Sequence, residues 1–281
     1  MYNVAHMKNN PLFSVVIPTL NEEKFLPHLL ESLEQQTEKD FEVIVVDGSS
    51  KDKTVEKART FTKKLPFLKV IISKTASLPL QRNLGAKEAR APWLLFVDAD
   101  SVLMPYFFER IRQFVAAHQP EVFTSWFRPD SEIPGDALIA LIGIMMTEGS
   151  LILNRPNITP GPFAAIKRDT FNAVGGYDER HVFNEDLDIG FRLYKHGAKF
   201  GVLRETIYVW SLRRLRSQGT LKVAQQYARA ALQVLIFKRP LRYMSGYFMG
   251  GHLYSKKRVI RRSLIAVYEK KLRKLVGELF E

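Results

Sequence analysis

Three short runs of almost unbroken apolar residues set the first constraint on this chain: FSVVIP (13–18), FEVIVV (41–46) and WLLFV (93–97). A strand that alternates apolar and polar residues can leave one face in water, whereas a strand that is apolar throughout has to be covered on both faces, as in a parallel sheet. The intervening stretches have helical spacing. In 21–36, Phe25, Leu26, Leu29, Leu30 and Leu33 fall on one face of a helix. Residues 52–64 read as a polar helix, with Asp52 placed to favour its N-terminus. A strand at 68–72 and a helix at 80–89 complete the alternation. Strands separated by helices in this way imply βαβ units and an α/β fold with a mostly parallel central sheet flanked by helices. Ligands of such sheets bind at the carboxyl ends of the strands.

Polar and acidic residues collect at those ends. PTLNEE follows the first strand, DGSSKDKT the second and DAD the fourth. Any one of them is an ordinary loop, but three at one sheet edge point to a site. The chain has neither GxGxxG nor GxxxxGK[ST], which disfavours a dinucleotide dehydrogenase and a P-loop NTPase. Asp98 and Asp100, one residue apart, either open a turn or hold a divalent cation, whose hard charge prefers carboxylate oxygens. In the second half, 163–166 is short and apolar. Residues 169–174 make one or two helical turns, ended by Gly175 and Gly176. NEDLDIGFRLYKHG (184–197) reads as a helix with Gly197 as its C-cap. Glu185 and Asp186 in its first turn are either helix-start acids, favoured by the dipole, or carboxylates aimed into a cleft, one of them a general base.

Taken in order, SVVIPTLNEE (14–23), FEVIVVDGSSKDKT (41–54), LPLQRNLGAKEA (78–89), LLFVDAD (94–100), FAAIKRDTFNAVGGYDE (163–179) and NEDLDIGFRL (184–193) resemble glycosyltransferase family 2, inverting enzymes of the GT-A fold. The resemblance implies a nucleotide–sugar donor, typically a UDP-sugar, and a divalent metal, Mn2+ or Mg2+. It implies that Pro18, Thr19, Asn21 and Glu22 line the nucleotide pocket, and that Asp47 accepts a hydrogen bond from the base ring. Arg82 would meet the diphosphate or the base. Asp98 would face the ribose or a metal-bound water, Asp100 would bind the metal directly, and the two together would form its protein side. Asp186 would deprotonate the acceptor hydroxyl, with Glu185 beside it. The chain departs from the pattern in one place: many relatives carry a His just after the strand equivalent to 205–210, where this sequence reads YVWSLRRLRS, with Trp210 and Ser211. Arg213, Arg214 and Arg216 could neutralise phosphate charge there instead.

Charge divides the chain. Residues 204–281 hold 18 Lys+Arg and 4 Asp+Glu, while 1–203 hold 24 and 25. A GT-A catalytic domain over 11–210, with a nucleotide–sugar half (11–100) and an acceptor half (101–210), followed by a basic, mostly helical extension over 211–281, fits this break. Residues 220–237 and 256–280 have amphipathic helical spacing, and SGYFMGGH (245–252) reads as a bend. The basic faces suit either a solvated helical pair packed on the body or peripheral contact with an anionic membrane. Nucleic acid is not expected, since no recognised module is present. The segment 135–153, GDALIALIGIMMTEGSLIL, is a core helix, the lining of an apolar acceptor groove or a bilayer contact, and its apolar run is too short to span a membrane. The acceptor would be a saccharide or a lipid-linked molecule. The absence of Cys and of a signal-like N-terminus fits a cytoplasmic protein, peripheral at the cytoplasmic membrane face if the tail binds lipid. Two rivals remain. One is a sugar-phosphate nucleotidyltransferase, which usually carries a Gly-rich, Arg-containing loop where this chain has PTLNEE. The other is a non-catalytic GT-A-like scaffold that binds a membrane or a partner.

Overall fold

A computed structural model describes residues 11–65, 67–152 and 162–219, together with the single positions Gln225, Tyr243, Gly250 and Leu253. The strands are β1 Phe13–Thr19, β2 Phe41–Asp47, β3 Lys69–Ile72, β4 Trp93–Val97, β5 Val102–Leu103, β6 Val122–Pro129, β7 Phe163–Lys167 and β8 Phe200–Trp210. The helices are α1 Leu26–Glu34, α2 Thr54–Thr60, α3 Leu78–Glu88, α4 Phe107–His118, α5 Pro134–Ile152, α6 Arg168–Ala173, α7 Glu185–His196 and α8 Arg213–Gln218. The strands form one sheet in the order β3-β2-β1-β4-β7-β6-β8-β5. The first four are parallel to one another; β7 then runs antiparallel to both β4 and β6, and β8 lies parallel to β6. The expected α/β sheet is therefore parallel in its nucleotide half and mixed in the other.

The continuous apolar strands are buried on both sides. Successive side chains alternate between faces, so Val15, Ile17, Val43, Val45, Leu95 and Val97 pack with the apolar faces of α1 and α4, while Val16, Ile44, Val46, Leu94 and Phe96 pack with residues of α3, α6 and α7. The first helix starts at Leu26, next to the first residue of its apolar face, so the expected 21–36 stretch loses its first five residues to a loop. In that loop the N–H groups of Asn21, Glu22 and Glu23 donate to Ser50 Oγ (2.7 Å), Thr54 Oγ1 (2.7 Å) and Asp52 Oδ2 (3.2 Å). Asn21 accordingly sits at φ 54°, and the loops after β1 and β2 are stitched together at the edge where ligands of such sheets bind. The helix spacings and bend expected over 220–280 lie outside the described residues.

One glycine sets how closely α3 approaches the sheet. A Cβ on Gly85 would lie 2.3 Å from Val16 Cγ1 and 3.2 Å from Val46 Cγ2, whereas one on Gly135, in α5, would meet nothing within 4 Å. Gly85→Ala is expected to destabilise the protein by about 1–3 kcal/mol, and Gly135→Ala to leave it unchanged or slightly more stable. Urea denaturation of the two variants checks this; equal midpoints would contradict the packing of α3.

Candidate functional site

The carboxyl ends of β1, β2 and β4 and the N-terminus of α7 converge on two arginines. Arg82, on the buried side of α3 with its side chain 2 % exposed, faces three acids. Nη1 donates to Asp186 Oδ1 (2.6 Å) and Glu185 Oε1 (3.2 Å), and Nη2 to Asp98 Oδ1 (3.2 Å). Its guanidinium also lies 5.2 Å from the ring centre of Tyr177. The next residue on the helix, Asn83, clamps Tyr177 in place: its Nδ2 donates to the Tyr177 carbonyl (2.9 Å) and its Oδ1 accepts from the Tyr177 N–H (2.9 Å). Asn184, at φ 58°, turns the chain into α7, so Glu185 and Asp186 stand in the first turn, as the sequence suggests.

Arg213, at the start of α8, organises the second cluster. Its Nη atoms grip both oxygens of Glu22 (2.6 and 2.9 Å), its Nε lies 2.9 Å from Asp100 Oδ2, and it stacks 4.1 Å from the centre of the Phe25 ring. Asp130, in the loop after β6, holds the start of this helix. It accepts from Ser211 Oγ (3.0 Å), from Leu212 N–H (3.0 Å) and from both Nη atoms of Arg216 (2.6 and 2.8 Å). The stretch where many relatives place a His is therefore a scaffold that delivers a guanidinium to Asp100.

The nucleotide-side residues lie at the same edge. Thr19 donates to Asp47 Oδ1 (3.1 Å), which also accepts from Ser50 Oγ (2.5 Å), while Asp47 Oδ2 accepts from Ser50 N–H (2.7 Å). Asn21 Oδ1 accepts from Lys51 N–H (2.7 Å), and Pro18 is buried at the end of β1. Asp47 thus shapes the loop after β2. Arg82 sits beneath the acids and bonds to them, so in this structure its charge is directed to Asp98, Glu185 and Asp186. The structure brings all the expected site residues to one sheet edge. It adds Tyr177, Asn83, Asp130 and Arg213 as organisers. Asn83 and Tyr177 stand inside the quoted segments QRN and GGYDE, but nothing in the sequence pairs them, and no motif marked Asp130.

Five carboxylates face two guanidinium groups, and burial raises four of them, Glu22, Asp98, Asp100 and Asp186. Burial pushes Glu22 up to about 7, against the pull of Arg213. It pushes Asp100 up to about 6; Arg213 opposes this and Asp98 adds to it. Asp98 is raised by burial more than Arg82 lowers it. Asp186 is raised well above the ordinary range, by burial first; Arg82 opposes this, and Glu185 and Asp98 add to it. A buried excess of hard anionic oxygens is the donor set that a divalent cation prefers. The Asp98 and Asp100 pair fits such an ion, provided that Arg213 gives up its hold on Asp100. A separate trio, Asp178, His181 and Asp188, has ligand atoms within 4.8 Å of one another. Its two carboxylates are already paired, Asp178 with Arg180 and Asp188 with Arg192 (both 2.7 Å).

The family model described as Glycosyl transferase family 2 matches residues 14–175, more than half of the chain. The chain belongs to this family. Among curated members, a protein of Haemophilus influenzae named as an uncharacterized glycosyltransferase is 30 % identical over 188 residues, 65 % of this chain and 62 % of the relative. A PGL/p-HBAD biosynthesis glycosyltransferase of Mycobacterium bovis is 29 % identical over 194 residues, 67 % of this chain and 72 % of that one. Among solved structures, residues 1–349 of S. aureus TarS in complex with UDP-GlcNAc superpose with a TM-score of 0.59 at 26 % identity, covering 71 % of this chain and 58 % of that one. The mannosyltransferase PcManGT of Pyrobaculum calidifontis, solved with GDP-Man and Mn2+, gives a TM-score of 0.61 at 18 % identity, covering 79 % of this chain and 65 % of that one, which shows the fold alone. The chain spans less than two thirds of the length of the Haemophilus relative and of that TarS structure. The expected GT-A fold is the one observed.

Removing Arg82 leaves three acids facing one another in a poorly solvated site. Arg82→Gln is expected to cost about 3–5 kcal/mol of stability near neutral pH. Without the guanidinium, the folded-state pKa values of Asp98 and Asp186 lie still further above their unfolded values. Folding then takes up protons, and stability falls as pH rises. The loss should be larger at pH 8 than at pH 5, as read by urea denaturation at both. A loss independent of pH would contradict the electrostatic role.

Proposed function

We propose that this family 2 chain is an inverting, divalent-metal-dependent glycosyltransferase that moves a sugar from a nucleotide–sugar, with UDP as the nucleotide, to a hydroxyl or lipid-phosphate acceptor. Residues 11–210 would be the catalytic unit, completed by Arg213 at the start of a basic extension over 211–281 whose later residues touch an anionic membrane at its cytoplasmic face. The observation that carries the reading is the convergence of five carboxylates on Arg82 and Arg213 at the carboxyl edge of the sheet. Support comes from the family match and from relatives solved with UDP-GlcNAc and with GDP-Man and Mn2+.

The roles follow from position. Pro18, Thr19, Asn21, Glu22 and Asp47 frame the nucleotide site on the stitched loops after β1 and β2. Asp98 and Asp100 would hold the metal, Mn2+ or Mg2+, which when bound neutralises the charge that develops on the departing diphosphate. Asp186 acts as the base. Its carboxylate takes the proton of the acceptor hydroxyl as the new oxygen–C1 bond forms and the bond from C1 to the diphosphate oxygen breaks. Arg82 and Glu185 keep it oriented. A lipid-phosphate acceptor is already ionised and asks less of the base. Arg213, released from Asp100, would then meet phosphate oxygens, for which a guanidinium fork is well matched.

Two variants separate donor binding from chemistry. Asp100→Asn is expected to abolish metal-dependent UDP binding in calorimetry. Asp186→Asn should keep UDP affinity and lower transfer from a UDP-sugar by about 10²–10⁴-fold. Unchanged UDP affinity in Asp100→Asn would sink the metal assignment. Absence of turnover by the wild type across a panel of donors and acceptors would favour a non-catalytic scaffold. Arg213→Gln should strengthen Mn2+ binding in the absence of nucleotide by about tenfold, because it frees a carboxylate from a charge-assisted bond, and should weaken UDP binding. Paramagnetic titration with Mn2+ reads the first effect, and unchanged Mn2+ affinity would contradict the competition for Asp100.

A further inference from the structure

The helix α5 carries its polarity the wrong way round for a surface exposed to water. Asp136, Thr147 and Ser150 are buried, whereas Leu138, Leu141, Ile142, Met145 and Met146 are exposed, Leu138 at 57 % and the two methionines at 63 % each. The exposed positions recur at steps of three and four and so form one stripe along the helix. The two acids on the helix are neutralised within the fold. Asp136 accepts from Ser131 Oγ (2.5 Å) and Arg216 Nη1 (2.7 Å). Glu148 accepts from Trp126 Nε1 (3.0 Å) and pairs with Arg204 (2.9 Å). Along the helix itself, the stripe therefore offers apolar side chains with no uncompensated negative charge among the helix's own residues.

Charge indicates what covers it. Arg216, which fixes the first turn of α5 at Asp136, belongs to α8, and residues 220–281 that follow this helix carry 14 Lys+Arg against 3 Asp+Glu. An apolar helix face next to the start of a strongly cationic stretch matches an anionic lipid surface: the apolar side chains enter the boundary between headgroups and acyl chains while Lys and Arg meet the phosphates. No helix among the described residues is long and apolar enough to cross a membrane, so the fitting orientation is in the plane of the surface. From Leu138 to Met146 the stripe is about 12 Å long. We propose that α5 is a membrane-docking helix that lies flat on anionic lipid. The assignment is independent of which sugar, metal or base the site uses.

The test uses the full chain, whose lack of Cys makes an engineered Met145→Cys a unique attachment point for an environment-sensitive dye. Labelled protein is mixed with vesicles of phosphatidylcholine alone or of phosphatidylcholine with phosphatidylglycerol, and sedimentation and emission are read together. The expected result is sedimentation with the anionic vesicles accompanied by a blue shift. Leu141→Gln with Met146→Gln, which add no charge, should lower partitioning by about tenfold or more while leaving the melting temperature unchanged. Sedimentation without a blue shift, or partitioning indifferent to the Gln pair, would show that the basic extension binds alone and would overturn the inference. A blue shift that grows with protein concentration in the absence of vesicles would assign the face to a second copy of the chain and would overturn it equally.

Discussion

A guanidinium as buried as Arg82 survives only where anions meet it, and the three that meet it come from two distant parts of the chain. Asp98 ends β4 in the nucleotide half, and Glu185 and Asp186 open α7 in the other half. Burying charges on this scale is poor economy for stability, since an apolar cluster of similar volume would often serve as well. What the arrangement secures is geometry. One rigid side chain on a helix pressed against β1 through Gly85 holds the first acid of the DAD segment and the candidate base at a fixed separation. Tyr177, clamped by Asn83 on the same helix, keeps the chain that leads into α7 at that distance.

A second arginine does the same for the opposite wall. Arg213 ties Glu22, in the loop after β1, and Asp100 to the segment that follows β8, while Arg216, one turn later, ties that segment to Asp130 and Asp136. The short helix α8 thus joins the candidate donor site, through one face, to α5 through another. This offers a physical route by which occupation of the site and contact at the α5 face could bear on each other.

Much of the fold was legible because continuous apolar runs permit few arrangements. β1, β2 and β4, and α7 with its Gly197 cap at φ 85°, lie within a residue or two of where periodicity places them. The candidate acids were legible as strand-end and helix-start residues. Their partners were not. Arg82 lies 104 residues from Asp186, and Arg213 lies 191 from Glu22, so local pattern carries no trace of either bond. β6 escaped because Thr124 and Ser125 break its apolar run, and Thr124 is buried through a bond to the Phe163 carbonyl that only the tertiary structure supplies. The orientation of α5 was hidden for the opposite reason: a segment rich in apolar residues all round gives no sign of which face the protein covers.

The central claim is that Arg82 acts through Asp186 rather than as an isolated buried charge. A double-mutant cycle joining Arg82→Gln and Asp186→Asn, read by urea denaturation, addresses it directly. If the two form one electrostatic unit, the cost of losing Arg82 should shrink by about 1–3 kcal/mol once Asp186 is neutral. Costs that add to within about 0.5 kcal/mol would contradict the account.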